Sequence, residues 1–151
     1  MTDHQSYARL LRRSDLAGVY CQPDAKTEAL TLAAEANGYL VFKLDLRKAK
    51  NKETLLDTIA HGMAFPEWFG HNYDALGDCL ADLAWRPAEG YLVLLTHCEG
   101  LLQRAGQDFA TTLQVFQQAA DEWRSKGQSL WCLVDGAAEN IPQLPADIGL
   151  E

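Results

Sequence analysis

The chain has 151 residues, 48% of them hydrophobic and 23% charged, which suits one packed domain able to bury roughly 70% of its unfolded surface without disulfide or metal. Its formal charge of −8 and pI near 4.9 argue against direct binding to nucleic acid or to an anionic membrane, since both need clustered Lys and Arg. Four widely spaced cysteines, Cys21, Cys79, Cys98 and Cys132, form no CxxC pair and read as buried free thiols, so neither a metal nor a cofactor is expected.

Along the chain, apolar runs alternate with helical patterns, the mark of an α/β domain with a mainly parallel sheet. A weak strand is predicted over Leu16 to Gln22, then a helix over Lys26 to Ala36 stopped by Asn37-Gly38. Tyr39 to Leu46 alternates Leu40, Phe42, Leu44 and Leu46 with Val41, Lys43 and Asp45, the period of a half-buried strand. Asn51 is placed to cap a helix from Lys52 to about Gly62 whose Leu55, Leu56 and Ile59 share a face. A turn over Phe65 to Gly70 leads into a second helix ending before Trp85-Arg86-Pro87, and Tyr91 to Thr96 is a short apolar strand. The longest helical stretch runs from about Gly100 to Lys126, with Gly106 positioned to kink or divide it, and Ser129 to Asp135 forms the last strand. The chain is read as a single domain, 1–151, with an N-terminal extension (1–37), a core (38–135) and a loosely held tail (136–151). The N-terminus carries neither a secretory signal nor a membrane anchor, which makes the cytoplasm the default address.

Charge is the most informative pattern. From Glu53 to Trp85 there is no lysine or arginine, yet six acids occur: Glu53, Asp57, Glu67, Asp74, Asp78 and Asp82. On a helical wheel over residues 73–84, Leu76, Cys79, Leu80 and Leu83 gather on one side and Asp74, Asp78 and Asp82 line the other, with Gly77 and Ala81 on the flank. Like charges four apart destabilise a helix by roughly 0.2 to 0.5 kcal/mol per pair, so the stripe is bought at a cost unless a basic partner meets it. A solvated acidic face is the bland reading; the missing lysines and the neighbouring aromatics Trp68 and Tyr73 shift the balance towards a basic protein partner. The competing enzyme reading clusters His71 with Asp74 and Asp78 for acid–base chemistry, but no phosphate loop, nucleophile elbow or HExxH motif accompanies it.

The run Pro66-Glu67-Trp68-Phe69-Gly70-His71-Asn72-Tyr73-Asp74-Ala75-Leu76, followed by Asp78-Cys79-Leu80, resembles the signature of the barstar family of ribonuclease inhibitors. Leu113-Gln114-Val115-Phe116 adds a second similarity, and the resemblance covers roughly residues 39 to 135. It implies a barstar-like fold: a small, mainly parallel sheet of three core strands flanked by helices, to which the weak strand of the N-terminal extension, outside the resemblance, would add a fourth. It also implies an intracellular bacterial inhibitor of antitoxin or immunity type that is not an enzyme. Its acidic helix and preceding loop would plug the active site of a ribonuclease or related toxin. Carried over by motif position, Trp68, Asn72, Tyr73, Asp74, Gly77 and Asp78 would contact the partner, with Asp78 standing in for substrate phosphate and Asp82 extending the stripe. This chain departs from the family's prototype at Gly77, where the prototype has a tryptophan, and at Gln118, where it has an acid, with Asp121 and Glu122 about a turn further on. A barstar-fold adaptor for a partner other than a ribonuclease is the alternative.

Overall fold

The computed structural model describes residues 3–21, 27–65, 72–83, 87–135 and 141–144. Its elements in chain order are α1 (Asp3–Leu11), β1 (Val19–Cys21), α2 (Thr27–Ala36), β2 (Leu40–Asp45), α3 (Lys52–Gly62), α4 (Tyr73–Ala81), β3 (Gly90–Thr96), α5 (Glu99–Arg104), α6 (Gly106–Ser125) and β4 (Ser129–Val134). The four strands form one sheet in the order β1-β4-β3-β2, with every pair parallel.

The strand order explains where the helices lie. From β2 to β3 to β4 the chain steps one way across the sheet, and α3 to α6 cover one face. From β1 to β2 it jumps back across the sheet, and crossovers of a single hand then place α2 on the opposite face. The side chains follow. Phe42, Leu44, Tyr91, Val93, Leu95, Leu130, Cys132 and Val134 point into the larger core beneath α3 to α6. Leu92, Leu94, Trp131 and Leu133 point into a second core with Leu10, Leu11, Leu30, Ala33 and Ala34 of α1 and α2. Because both faces are covered, β3 and β4 are buried at nearly every position, as parallel strands usually are.

The expected fourth strand from the extension is therefore present as β1, though it starts at Val19 rather than Leu16, with Ser14–Leu16 a 3-10 turn; Gln22 lies outside the described residues. Helix α1 precedes the first element expected from the sequence. Its last turn carries the buried Leu10 and Leu11, and the Leu11 carbonyl accepts from Trp131 Nε1 (3.2 Å) and from the Tyr39 hydroxyl (2.7 Å). The predicted long helix is divided, with Ala105 between α5 and α6. The outer edge of β1 is occupied by side chain and tail: Val19 N–H donates to Gln117 Oε1 (3.0 Å), Cys21 N–H to the Pro142 carbonyl (2.8 Å), and Leu144 N–H to the Cys21 carbonyl (3.0 Å). Residues 141–144 of the tail are thus paired to the sheet, and Leu144 is buried. All four cysteines are free and buried, as their spacing suggested.

Candidate protein-binding site

Helix α4 starts where Asn72, in extended conformation, accepts from the Ala75 N–H through its side chain at 2.7 Å. The amphipathic split read from the wheel holds: Leu76, Cys79, Leu80 and Leu83 are buried, while Asp74, Asp78 and Asp82 are exposed. The helix is shorter than expected, however, and ends at Ala81. Asp82 is its C-cap, with φ −123° and ψ 89°, and its N–H reaches the Asp78 carbonyl at 3.1 Å. A third acid in line would face the negative end of the helix dipole and the charge of Asp78, so the last turn gains little by continuing. The same charges reach inward. Burial, then Asp78 and Asp82, push the Cys79 thiol up to about 11.

Hydrogen bonds at both ends clamp α4 to α6. At the start, the Tyr73 hydroxyl lies 3.1 Å from both the Asp108 carbonyl and Asp108 Oδ1; near the end, Trp123 Nε1 donates to the Leu80 carbonyl at 2.7 Å. Tyr73 is half-buried rather than displayed beside the acids, with the Lys52 ammonium 4.9 Å above its ring. Loss of hydration, with a lesser contribution from Asp108, raises its phenol above the ordinary range. Between these clamps lies Gly77, half-buried at the seam: a Cβ there would sit 3.6 Å from Val115 Cγ1, an ordinary contact. Gln118, exposed on α6, follows Val115 by one turn and so lies beside that seam. Trp68, with the rest of the 66–71 turn including His71, lies outside the described residues.

Asn72, Tyr73, Asp74, Gly77, Asp78 and Asp82 are thus gathered on or at the ends of one short helix, with Gln118 on its neighbour. Asp74 and Asp78 form a rigid pair of carboxylates in line. Such a pair can accept hydrogen bonds from guanidinium, ammonium or imidazolium groups, as phosphate oxygens do.

Three further features lie around the acidic helix and at the carboxyl ends of the strands. Asp108 had no local signal as a partner of Tyr73. Arg47, Lys48, Lys50 and Lys52 place four cations within six residues of the loop that ends beside Tyr73, a run visible in the sequence. At the carboxyl ends of the strands, His97 adopts φ 57°, gives its backbone N–H to Asp135 Oδ2 (2.6 Å), and sets its ring between Asp45 (Nδ1, 3.2 Å) and Arg47 (Nε2, 2.9 Å). No group of three His, Cys, Asp or Glu among the described residues is arranged to hold a metal ion. A cavity of about 760 Å³ between β1 and α6 is lined by Val19, Leu102, Phe109, Leu113 and Gln117, and none of the candidate contact residues lines it. No helix among the described residues is long and apolar enough to cross a membrane.

The sheet order, the paired helix layers and the acidic α4 define a parallel α/β domain that displays a charged helix. A family model described as Barstar (barnase inhibitor) matches residues 39–135, well over half the chain, and the chain belongs to the barstar family. No curated protein matches it. Among solved structures it is similar to the ORC2 protein of Aeropyrum pernix in its ADP form, at 19% identity and TM-score 0.58, covering 87% of this chain and 38% of that one. It is also similar to the ADPNP-ADP complexes of the same protein, at 19% identity and TM-score 0.55, covering 87% and 40%. The chain therefore spans well under half of those proteins, and at this identity the likeness concerns the fold alone.

Proposed function

We propose that this chain is a protein inhibitor of a ribonuclease, acting inside the cell by laying α4 over the enzyme's basic active site. One observation carries the reading: in a member of a family described by barnase inhibition, Asp74 and Asp78 are exposed in line on a helix held to α6 at both ends. A ribonuclease binds a polyanion with converging cations, and a pre-positioned carboxylate pair can take the place of phosphate without ordering a flexible segment. In this reading Asp78 occupies the phosphate position, and Trp68, Asn72 and Asp82 border it. Gly77 and Gln118, which stand where the family's prototype has a tryptophan and an acid, fit the chain to a ribonuclease other than barnase.

The test is inhibition across a panel of secreted ribonucleases that includes barnase. One enzyme should be inhibited one to one, without cofactor, and less tightly as salt rises. Asp78→Ala should weaken that complex by about 30-fold or more while the melting temperature of the free chain stays unchanged. Inhibition left intact by both Asp74→Ala and Asp78→Ala would discard α4 as the site, and failure across the whole panel would favour a barstar-fold adaptor instead.

A further inference from the structure

We propose that the loop 47–52 is a second docking element, a rigid basic edge that meets an acidic patch on the same ribonuclease that α4 engages; the inference rests on the inhibitor reading above. Four of the chain's 13 cations, Arg47, Lys48, Lys50 and Lys52, fall in these six residues, in a chain with 21 acids. Arg47, Lys48 and Lys50 are exposed, and the backbone that carries them is fixed from within. Ala49 is buried and donates its N–H to the Leu46 carbonyl at 3.1 Å. Arg47 N–H is held by Asp45 Oδ1 (2.9 Å), Lys50 N–H by Thr54 Oγ1 (2.8 Å), and Asn51 and Thr54 cap each other at the start of α3. A loop ordered before binding loses little backbone freedom when a partner arrives.

Position ties this loop to α4. Lys52 lies over the ring of Tyr73, the residue immediately before Asp74. Lys48 is four residues from Lys52, at most about 14 Å of extended chain. A standard protein interface buries about 800 Å² on each partner, a disc of roughly 16 Å radius, so a partner centred on the contact between Lys52 and Tyr73 can cover the loop together with the start of α4. The covered face is bipolar, with the carboxylates of α4 beside the cations of the loop. A uniformly basic enzyme surface would be repelled by the loop, so the fitting partner has acidic groups beside its basic site. The two opposite contacts then fix its orientation.

Stopped-flow association with the panel ribonuclease that the chain inhibits most tightly provides the test. Lys48→Glu with Lys50→Glu replaces two positive by two negative charges, taking the formal charge from −8 to −12. General attraction to a basic enzyme would make this variant associate faster. Local complementarity makes it slower, on the order of fivefold at ~50 mM salt, with the difference vanishing near ~500 mM. The Lys48→Ala, Lys50→Ala pair should slow association less, and both variants should keep the circular dichroism and melting temperature of the parent. If Asp78→Ala weakens the complex but the lysine variants associate at the parent rate or faster, this inference alone is overturned. Loss of RNA retention in the lysine variants with unchanged enzyme association would overturn it in favour of a nucleic-acid surface. No inhibited ribonuclease, or no effect of Asp78→Ala, overturns the inhibitor reading and this inference with it.

Discussion

The Tyr73 hydroxyl is held by Asp108, 3.1 Å from both its carbonyl and its carboxylate, so the first residue of the acidic helix is anchored to the first turn of α6. Tyr73→Phe removes the bond and leaves the ring in place, and should cost about 1 kcal/mol in urea unfolding. Because burial raises the Tyr73 phenol, its contribution is fully present below the unfolded value near 10 and is lost as pH rises through the folded value. The parent should therefore lose stability above about pH 10 more steeply than Tyr73→Phe, a difference measured by unfolding between pH 8 and 11.

The extension is a structural layer. Removing residues 1–37 would uncover Leu92, Leu94, Trp131 and Leu133, and the truncated chain should fail to give a folded monomer by size exclusion and circular dichroism. Within the full chain, Trp131→Ala should cost about 3–5 kcal/mol.

Gly62, near the end of α3, has no room for a methyl group, because an added Cβ would overlap Leu44 Cδ2. Leu44 is buried in β2 and cannot swing into solvent. Gly62→Ala should destabilise by about 1–3 kcal/mol in chemical unfolding, although alanine normally favours a helix over glycine.

Acid should loosen the carboxyl end of the sheet. The Arg47 backbone N–H, and then the charges of His97 and Arg47, hold the Asp45 carboxyl below the usual range. A depressed group stabilises the fold above its unfolded value near 4, and that contribution is lost as pH falls through the folded value. Stability measured from pH 6 down to 2 should decline less steeply in Asp45→Asn than in the parent.

The thiols should be silent in the folded chain. Burial raises Cys79, Cys98 and Cys132 alike, so little thiolate forms at neutral pH. Ellman's reagent at pH 8 should label none of the four cysteines until denaturant is added, after which all four should react.

What could be read locally was read well. Asn51 before an apolar-periodic run marks the start of α3, the alternation from Leu40 to Leu46 marks β2, and the wheel separates Cys79 from Asp78 because both sides of α4 lie within nine residues. What depends on distant partners was not. Helix α1 is sealed by Leu10 and Leu11 against a sheet face whose existence follows from strand order, although Tyr7, Ala8, Leu10 and Leu11 recur at helical spacing. Tyr73, beside an exposed aspartate, looks like a surface aromatic; its partner Asp108 lies 35 residues away. Asp82 fits the wheel geometrically, yet the dipole and its neighbour's charge end the helix before it.

The fastening of β1 by Gln117, Pro142 and Leu144 also bears on how the molecule behaves in a crowd. A parallel sheet has two open flanks where a stranger's strand could zip on, and here one of them is already taken by the chain itself. Recruitment would have to begin at β2, where exposed Lys43 and Asp45 would have to be matched by the incoming strand. Strand-to-strand pairing with another molecule is thereby left to the β2 flank alone.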